Sequence, residues 1–257
     1  MYIDTHAHLN FDDFKTDFES VILRAQKANV EKIINIGSDY KSSHKSIELS
    51  QKFSRVYAAI GLHPIYINKE KFDVTKYRNL AQNKKVVAFG EIGFDFGEEG
   101  KKIPTQKQIS VFKEFINLAI ELKKPIIIHC RDSREDLLKF LSSETKLPRG
   151  VLHCFSGDFE FAQKILDFGF LVSFTGAITY NLSNKTGDAI EKLPLEKIII
   201  ETDCPFMTPL SKREKGIKRC EPAFVKEVAK KIAEIKNLSD LEVEQSTTSN
   251  AQKLFNI

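Results

Sequence analysis

The sequence predicts an α/β chain closed into one (β/α)8 barrel, a single domain over residues 1–257. Short apolar runs rich in β-branched residues alternate with amphipathic, charged stretches eight times along the chain, as in a parallel sheet joined by crossover helices. Runs such as Ile126-Ile127-Ile128 and Ile198-Ile199-Ile200 have no polar face, as expected of strands buried on both sides. The length, 257 residues, matches the roughly 250 typical of one such barrel.

In chain order, the first strand is expected over Tyr2–His8, followed by a helical stretch Phe14–Ala28. A second strand, Lys32–Ile36, leads to a helix Ser42–Phe53 that Ser42 would cap. Strands over Val56–Ile60 and Val86–Glu91 come next, then a helix Lys107–Leu122. Pro125–His129 precedes a helix over Ser133–Leu141; Gly150–His153 precedes Phe159–Phe168, opened by Asp158 and closed by Gly169. Phe170–Phe174 and Lys197–Thr202 complete the strands, with a helix over Ala223–Ile235 after them. No GxGxxG follows the first strand, which argues against an open dinucleotide-binding sheet. There is no internal repeat, low-complexity tract or linker.

Composition excludes other classes. With 42% hydrophobic residues, 12 Gly and 8 Pro, the chain is neither disordered nor collagen-like. Its net charge, 39 − 35 = +4, permits contact with a polyanion without demanding it. No apolar run approaches the roughly 20 residues of a membrane span, and the N-terminus shows no signal-peptide pattern. Cys130, Cys154, Cys204 and Cys220 lie far apart and form no CxxC pair. Reduced thiols in a cytoplasmic protein, expected to be a monomer, fit that spacing better than disulfides or a zinc ribbon.

Chemistry is concentrated in the histidines. Five of the six fall at or just beyond strand ends, and His6 and His8 form a His-x-His pair on the first strand. Side chains two apart on a strand share a face, so these two imidazoles converge. Glu91, His129 and His153 end three further strands, and Asp203 follows the eighth. All map to the carboxyl ends of strands, where barrel active sites assemble. Six N and O donors suit two divalent ions better than one, with Mg, Mn, Fe or Zn as candidates. Alternation turns Cys130 and Cys154 away from the histidines they follow, so no cysteine is counted as a ligand.

Taken together, the motifs resemble the TatD family of metal-dependent nucleases within the amidohydrolase superfamily. They are Asp4-Thr5-His6-Ala7-His8-Leu9, Ala59-Ile60-Gly61-Leu62-His63-Pro64, Gly90-Glu91-Ile92-Gly93-Phe94-Asp95, His129-Cys130-Arg131-Asp132, His153-Cys154-Phe155-Ser156-Gly157, Glu201-Thr202-Asp203-Cys204-Pro205 and Ser249-Asn250-Ala251. The resemblance implies a TIM barrel with one metal on His6, His8, Glu91 and Asp203 and a second on Glu91, His129 and His153, with Glu91 bridging. It implies hydrolysis of DNA, often trimming single strands from the 3′ end, whereas some relatives are associated with removing D-amino acids from tRNA. Where related barrels use a carbamylated lysine, Lys84 and Lys85 would sit at the wrong end of the fourth strand. The chain departs from the family pattern at Arg219-Cys220-Glu221-Pro222, usually Arg-Asn-Glu-Pro, and at the acidic Gly97-Glu98-Glu99-Gly100 loop.

Further roles follow as expectations. Asp203 would orient the attacking water and take its proton, or act as a plain ligand. His63 would contact a phosphate or leaving group, or be a loop histidine held by Pro64. Arg131 would hold a phosphate or pair with Asp132. The segment Lys212–Arg219, with five positive charges and one negative, including Arg219, would meet a nucleic-acid backbone or simply be solvated. Phe94, Phe96 and Phe155 would stack unpaired bases or pack in the core, and His44 would lie on the surface. Binding of nucleic acid, single-stranded DNA foremost, would be sequence-tolerant and salt-sensitive. A metal-dependent ester or amide hydrolase acting on aminoacyl-tRNA is the alternative, and a non-catalytic metal protein a third reading.

Overall fold

The computed structural model describes residues 1–257. Eight strands form one sheet in sequential order: β1 (Tyr2–Ala7), β2 (Val30–Ile36), β3 (Val56–Ile60), β4 (Val86–Asp95), β5 (Ile126–Arg131), β6 (Gly150–Leu152), β7 (Leu171–Phe174) and β8 (Ile198–Ile200). Every neighbouring pair is parallel. The chain beyond β8 closes the ring: Asp203 N donates to His6 O at 2.8 Å and His8 N to Cys204 O at 2.8 Å. This is the predicted barrel.

Apolar residues fill two separate spaces. Ile126, Ile128, Ile198 and Ile200 pack outward into the larger cluster between sheet and helices. Ile127, Val151 and Ile199 belong to a smaller cluster with Ile34, Ile36, Ala59 and Val87 inside the barrel. Ala251, Leu254 and Phe255 of the last helix join that inner cluster. The unbroken isoleucine runs thus serve two cores at once, one per face. Two residues beyond the inner layer, alternation places His129 above Ile127, His153 above Val151 and Glu201 above Ile199. An apolar layer therefore supports a polar one.

Ten helices surround the sheet: α1 (Phe18–Lys27), α2 (Tyr40–Lys52), α3 (Val74–Leu80), α4 (Thr105–Glu121), α5 (Arg134–Ser143), α6 (Phe159–Asp167), α7 (Asn184–Lys192), α8 (Leu210–Arg213), α9 (Val225–Lys236) and α10 (Asp240–Phe255). Several boundaries differ from expectation. Phe14 belongs to a 3-10 turn, Asp12–Phe14, and α1 begins at Phe18. Asp39, not Ser42, caps α2. Its carboxylate accepts from Ser42 N while the Ser42 hydroxyl accepts from Asp39 N, a reciprocal capping box. Asp158 caps α6 as expected, and Gly169, with φ 87°, turns the chain after it. α3, α7, α8 and α10 were not foreseen. No helix is long and apolar enough to cross a membrane.

Candidate metal centre

β4 decides the architecture of the site. It runs four residues past Glu91, the expected end, to Asp95, so Glu91, Gly93 and Asp95 share its inner face while Ile92 and Phe94 join the outer core. Gly93 has φ 140°, and a Cβ there would lie 2.2 Å from His129 O. The absent side chain lets β4 and β5 approach closely where both deliver site residues.

Glu91 is buried, and its two oxygens face two groups of donors. On one side, Glu91 Oε2 lies 3.5 Å from His6 Nε2 and 3.7 Å from His8 Nε2. Asp203 Oδ1 lies 3.7 and 3.5 Å from the same nitrogens, which are 3.2 Å apart. Four donors about 2.1 Å from one ion in a tetrahedron stand about 3.4 Å from one another. The separations in the protein bracket that value. On the other side, Glu91 Oε1 lies 2.6 Å from His129 Nδ1, 2.7 Å from His153 Nε2 and 3.4 Å from His63 Nε2. All six residues expected as ligands are therefore brought together, in the two groups that the resemblance implied.

Sequence reading missed two carboxylates behind the second group. Asp95 Oδ2 lies 2.9 Å from His129 Nε2, and Glu201 Oε1 lies 3.3 Å from His153 Nδ1 while accepting from Cys154 N at 2.8 Å. Each imidazole is thus fixed in tautomer and orientation by an acid behind it, a common arrangement around metal-binding histidines. Asp95 is held in turn: its backbone N donates to Gln108 Oε1 at 2.9 Å, and its Oδ1 accepts from Gly97 N at 2.8 Å. Alternation past Glu91 and past Ile199 was the available signal for both residues.

Charge follows the geometry. Burial opposes ionisation of Glu91, but His153 first and His129 with it outweigh that and hold the carboxyl well below its usual range. Burial likewise opposes the charged form of His129, yet Glu91 and Asp95 raise it; Glu91 and Glu201 raise His153 well above an ordinary imidazole. Asp203, against the pull of burial, is lowered by His8 and His6. The donor sets fit divalent ions, with buried ionised oxygens interleaved among imidazole nitrogens.

His63 is buried beside the second group. Burial, together with His129, pushes its imidazole down, and its Nδ1 accepts from Ile65 N at 3.2 Å. The neutral ring therefore carries its proton on Nε2, facing the site. Above the donors opens a cavity of about 700 Å³, lined among others by Tyr66, Glu98, Glu99, Arg131 and Phe206. Arg131 is exposed there and makes no ion pair with Asp132. Glu99 pairs with Lys102 at 2.5 Å, leaving Glu98 as the rim acid without a cation.

Other expected positions move away from the site. Arg219 is not free for a phosphate: its guanidinium donates to Asp17 at 2.7 and 2.8 Å and to Glu221 at 2.8 Å, and lies over the Phe14 ring. Lys212 pairs with Glu227 at 3.1 Å, and Arg213 lies 3.7 Å from the Tyr180 ring centroid. No residue of this segment lines the cavity. Phe94 is fully buried against Phe112 and Phe140, and Phe155 against Phe161 and Phe174, so neither can stack a base. Phe96 is half-buried against Phe94. His44 lies exposed on α2 beside Glu48, as expected, and Lys85 donates to Ser54 O and Val56 O, away from the donors. Cys130 and Cys154 line the cavity wall but join no donor group; their partners are Ser133 and Thr175.

Paired donor groups without a thiolate, set under an open cavity at the carboxyl ends of barrel strands, define a barrel with a metal site of the open, catalytic kind. Comparison narrows the class. Residues 3–256 match the family model described as TatD related DNase. The chain is 40% identical to the metal-dependent hydrolase YabD of Bacillus subtilis over the whole of both chains. It is 34% identical to the metal-dependent hydrolase YcfH of Escherichia coli, covering 99% of this chain and 96% of that one. The crystal structure of the TatD homologue YjjV of Escherichia coli superposes with a TM-score of 0.90 at 31% identity, covering 100% and 98% of the two chains. This chain belongs to the TatD family and is a metal-dependent hydrolase. A dihydroorotase shares the fold alone, with a TM-score of 0.64 at 15% identity.

Proposed function

We propose that the protein is a two-metal phosphodiesterase that hydrolyses DNA, removing nucleotides from single-stranded 3′ ends. The observation that carries this reading is Glu91, which turns one oxygen to each donor group. Two divalent ions held there would orient a phosphodiester, activate water and neutralise charge on the entering and leaving oxygens. His6, His8, Glu91 and Asp203 would hold one ion; Glu91, His129 and His153 would hold the other. Asp203 orients the water and accepts its proton, being buried, ionised and open to the cavity. His63 presents Nε2–H to a phosphate or leaving-group oxygen. Arg131, whose planar fork suits phosphate oxygens, steadies the backbone of the strand.

The test uses a 5′-labelled single-stranded DNA oligomer with Mg, Mn and Zn titrated separately. A descending ladder made by the native protein and lost in Asp203→Asn, with strand binding retained, is expected. An intact oligomer under every metal overturns the nuclease reading. The rim favours one second reading: the unpaired Glu98 suits a substrate ammonium better than a polyanion. A D-aminoacyl-tRNA ester has that ammonium, and release of amino acid from it, with DNA left intact, would identify that activity.

A further inference from the structure

Among 20 phenylalanines and 6 tyrosines, Phe206 alone is exposed. It sits on the rim of the cavity, 51% accessible, three residues past Asp203. A single exposed apolar side chain is ordinary on a protein surface; its setting is not. Phe206 N donates to Asp203 O at 3.0 Å, a backbone bond that holds the two residues in one turn. Asp203 and Met207, both with φ 53°, bracket this tight turn. His8 and Phe11 stack on each other, their planes 22° apart, and both meet Phe206 steeply, at 67° and 75°. No aromatic ring lies flat on Phe206. An unmatched π-face therefore borders the donors, on the same cavity as Arg131.

We infer that Phe206 is the stacking platform for a nucleobase next to the scissile phosphate, a specificity-determining residue that makes the substrate a nucleotide strand. This rests on the phosphodiesterase reading. Every base has a π-face, so the contact is tolerant of sequence. It takes the stacking role that Phe94 and Phe155, packed in the core, cannot fill. It also gives the site a grip on DNA that does not depend on the basic segment, whose Lys212, Arg213 and Arg219 are already engaged.

The experiment compares two single-stranded oligomers, identical except that one has abasic sites at its 3′-terminal positions. KM and kcat are measured for the native protein, Phe206→Ala and Phe206→Trp. Equilibrium binding is measured by fluorescence anisotropy with Asp203→Asn alone and combined with each change. Because Phe206 is exposed, its removal leaves the core intact, and an unchanged Tm verifies this. Phe206→Ala is expected to weaken binding and raise KM about tenfold on the complete strand, within the range of one stacked base. It should change neither by more than about twofold on the abasic strand, and Phe206→Trp should restore the difference. Equal losses on both strands, or none on either, overturn the platform while leaving the nuclease intact if cleavage persists. Base-dependent binding without cleavage under any metal supports the platform and sinks the phosphodiesterase reading.

Discussion

Arg131 and Arg219 carry the same charge in opposite surroundings. Arg131 reaches the cavity with no ion-pair partner, whereas Arg219 bonds to Asp17 and Glu221 and covers Phe14. The two alanine variants should therefore separate. Arg131→Ala is expected to raise KM for DNA about tenfold with Tm unchanged, the loss of one charge-assisted contact. Arg219→Ala is expected to leave KM unchanged and lower Tm by a few degrees, since it leaves Asp17 and Glu221 with Arg24 as their one remaining cation and uncovers the Phe14 ring. Steady-state kinetics and thermal melts on both variants check this; a KM effect at Arg219 would return that residue to the substrate path. Asp95 is the corresponding test behind the donors. Asp95→Asn keeps the shape but removes the charge behind His129, and should weaken metal binding about 10- to 100-fold. Calorimetric titration with Mn checks it, and unchanged affinity would make Asp95 a fold residue only.

At the scale of the element, β4 has the tightest constraint. Gly93→Ala puts a methyl group 2.2 Å from His129 O at φ 140°. The expected cost is about 3 kcal/mol or more, combining backbone strain with overpacking, and metal affinity should fall with it because His129 must shift. A melt and a metal titration on this variant check both parts; a Tm within a degree of native would mean that β4 has slack. The same strand shows where sequence was legible. All eight strands announced themselves through buried isoleucine and valine, and the donors through their place at strand ends. Asp95 escaped because the glycines of Gly90-Glu91-Ile92-Gly93 resemble a strand terminus. They are instead the price of close packing between β4 and β5. α3, α7 and α10 escaped because short or polar-rich helices have weak apolar periodicity. Lys212, Arg213 and Arg219 misled because charge in a sequence does not reveal its partners, and Phe206 was invisible among 20 phenylalanines.

For the molecule as a whole, the site is a concentration of buried charge that the apolar layer beneath it does not stabilise. Glu91, Asp203 and His153 are all buried, and ions that bind only the folded chain should add to its stability. At 100 times the dissociation constant, one site adds about 2.7 kcal/mol, and a chain of this size gains about 2–4 °C per kcal/mol. Saturating Mn added to chelator-stripped protein should then raise Tm by about 5–11 °C per ion. Because Glu91 is the one carboxylate that turns an oxygen to each group, variants on either side of it can divide that shift. His8→Ala should remove one increment and His153→Ala the other, while Glu91→Gln should remove nearly all of it. If His8→Ala and His153→Ala each abolish the whole shift, the donors serve one ion rather than two. If the native protein gains nothing from Mn, Mg or Zn, the ionised cluster is held together by its own imidazolium pairs. Thermal melts in each metal thus read the stoichiometry of the centre from folding itself, with no substrate required.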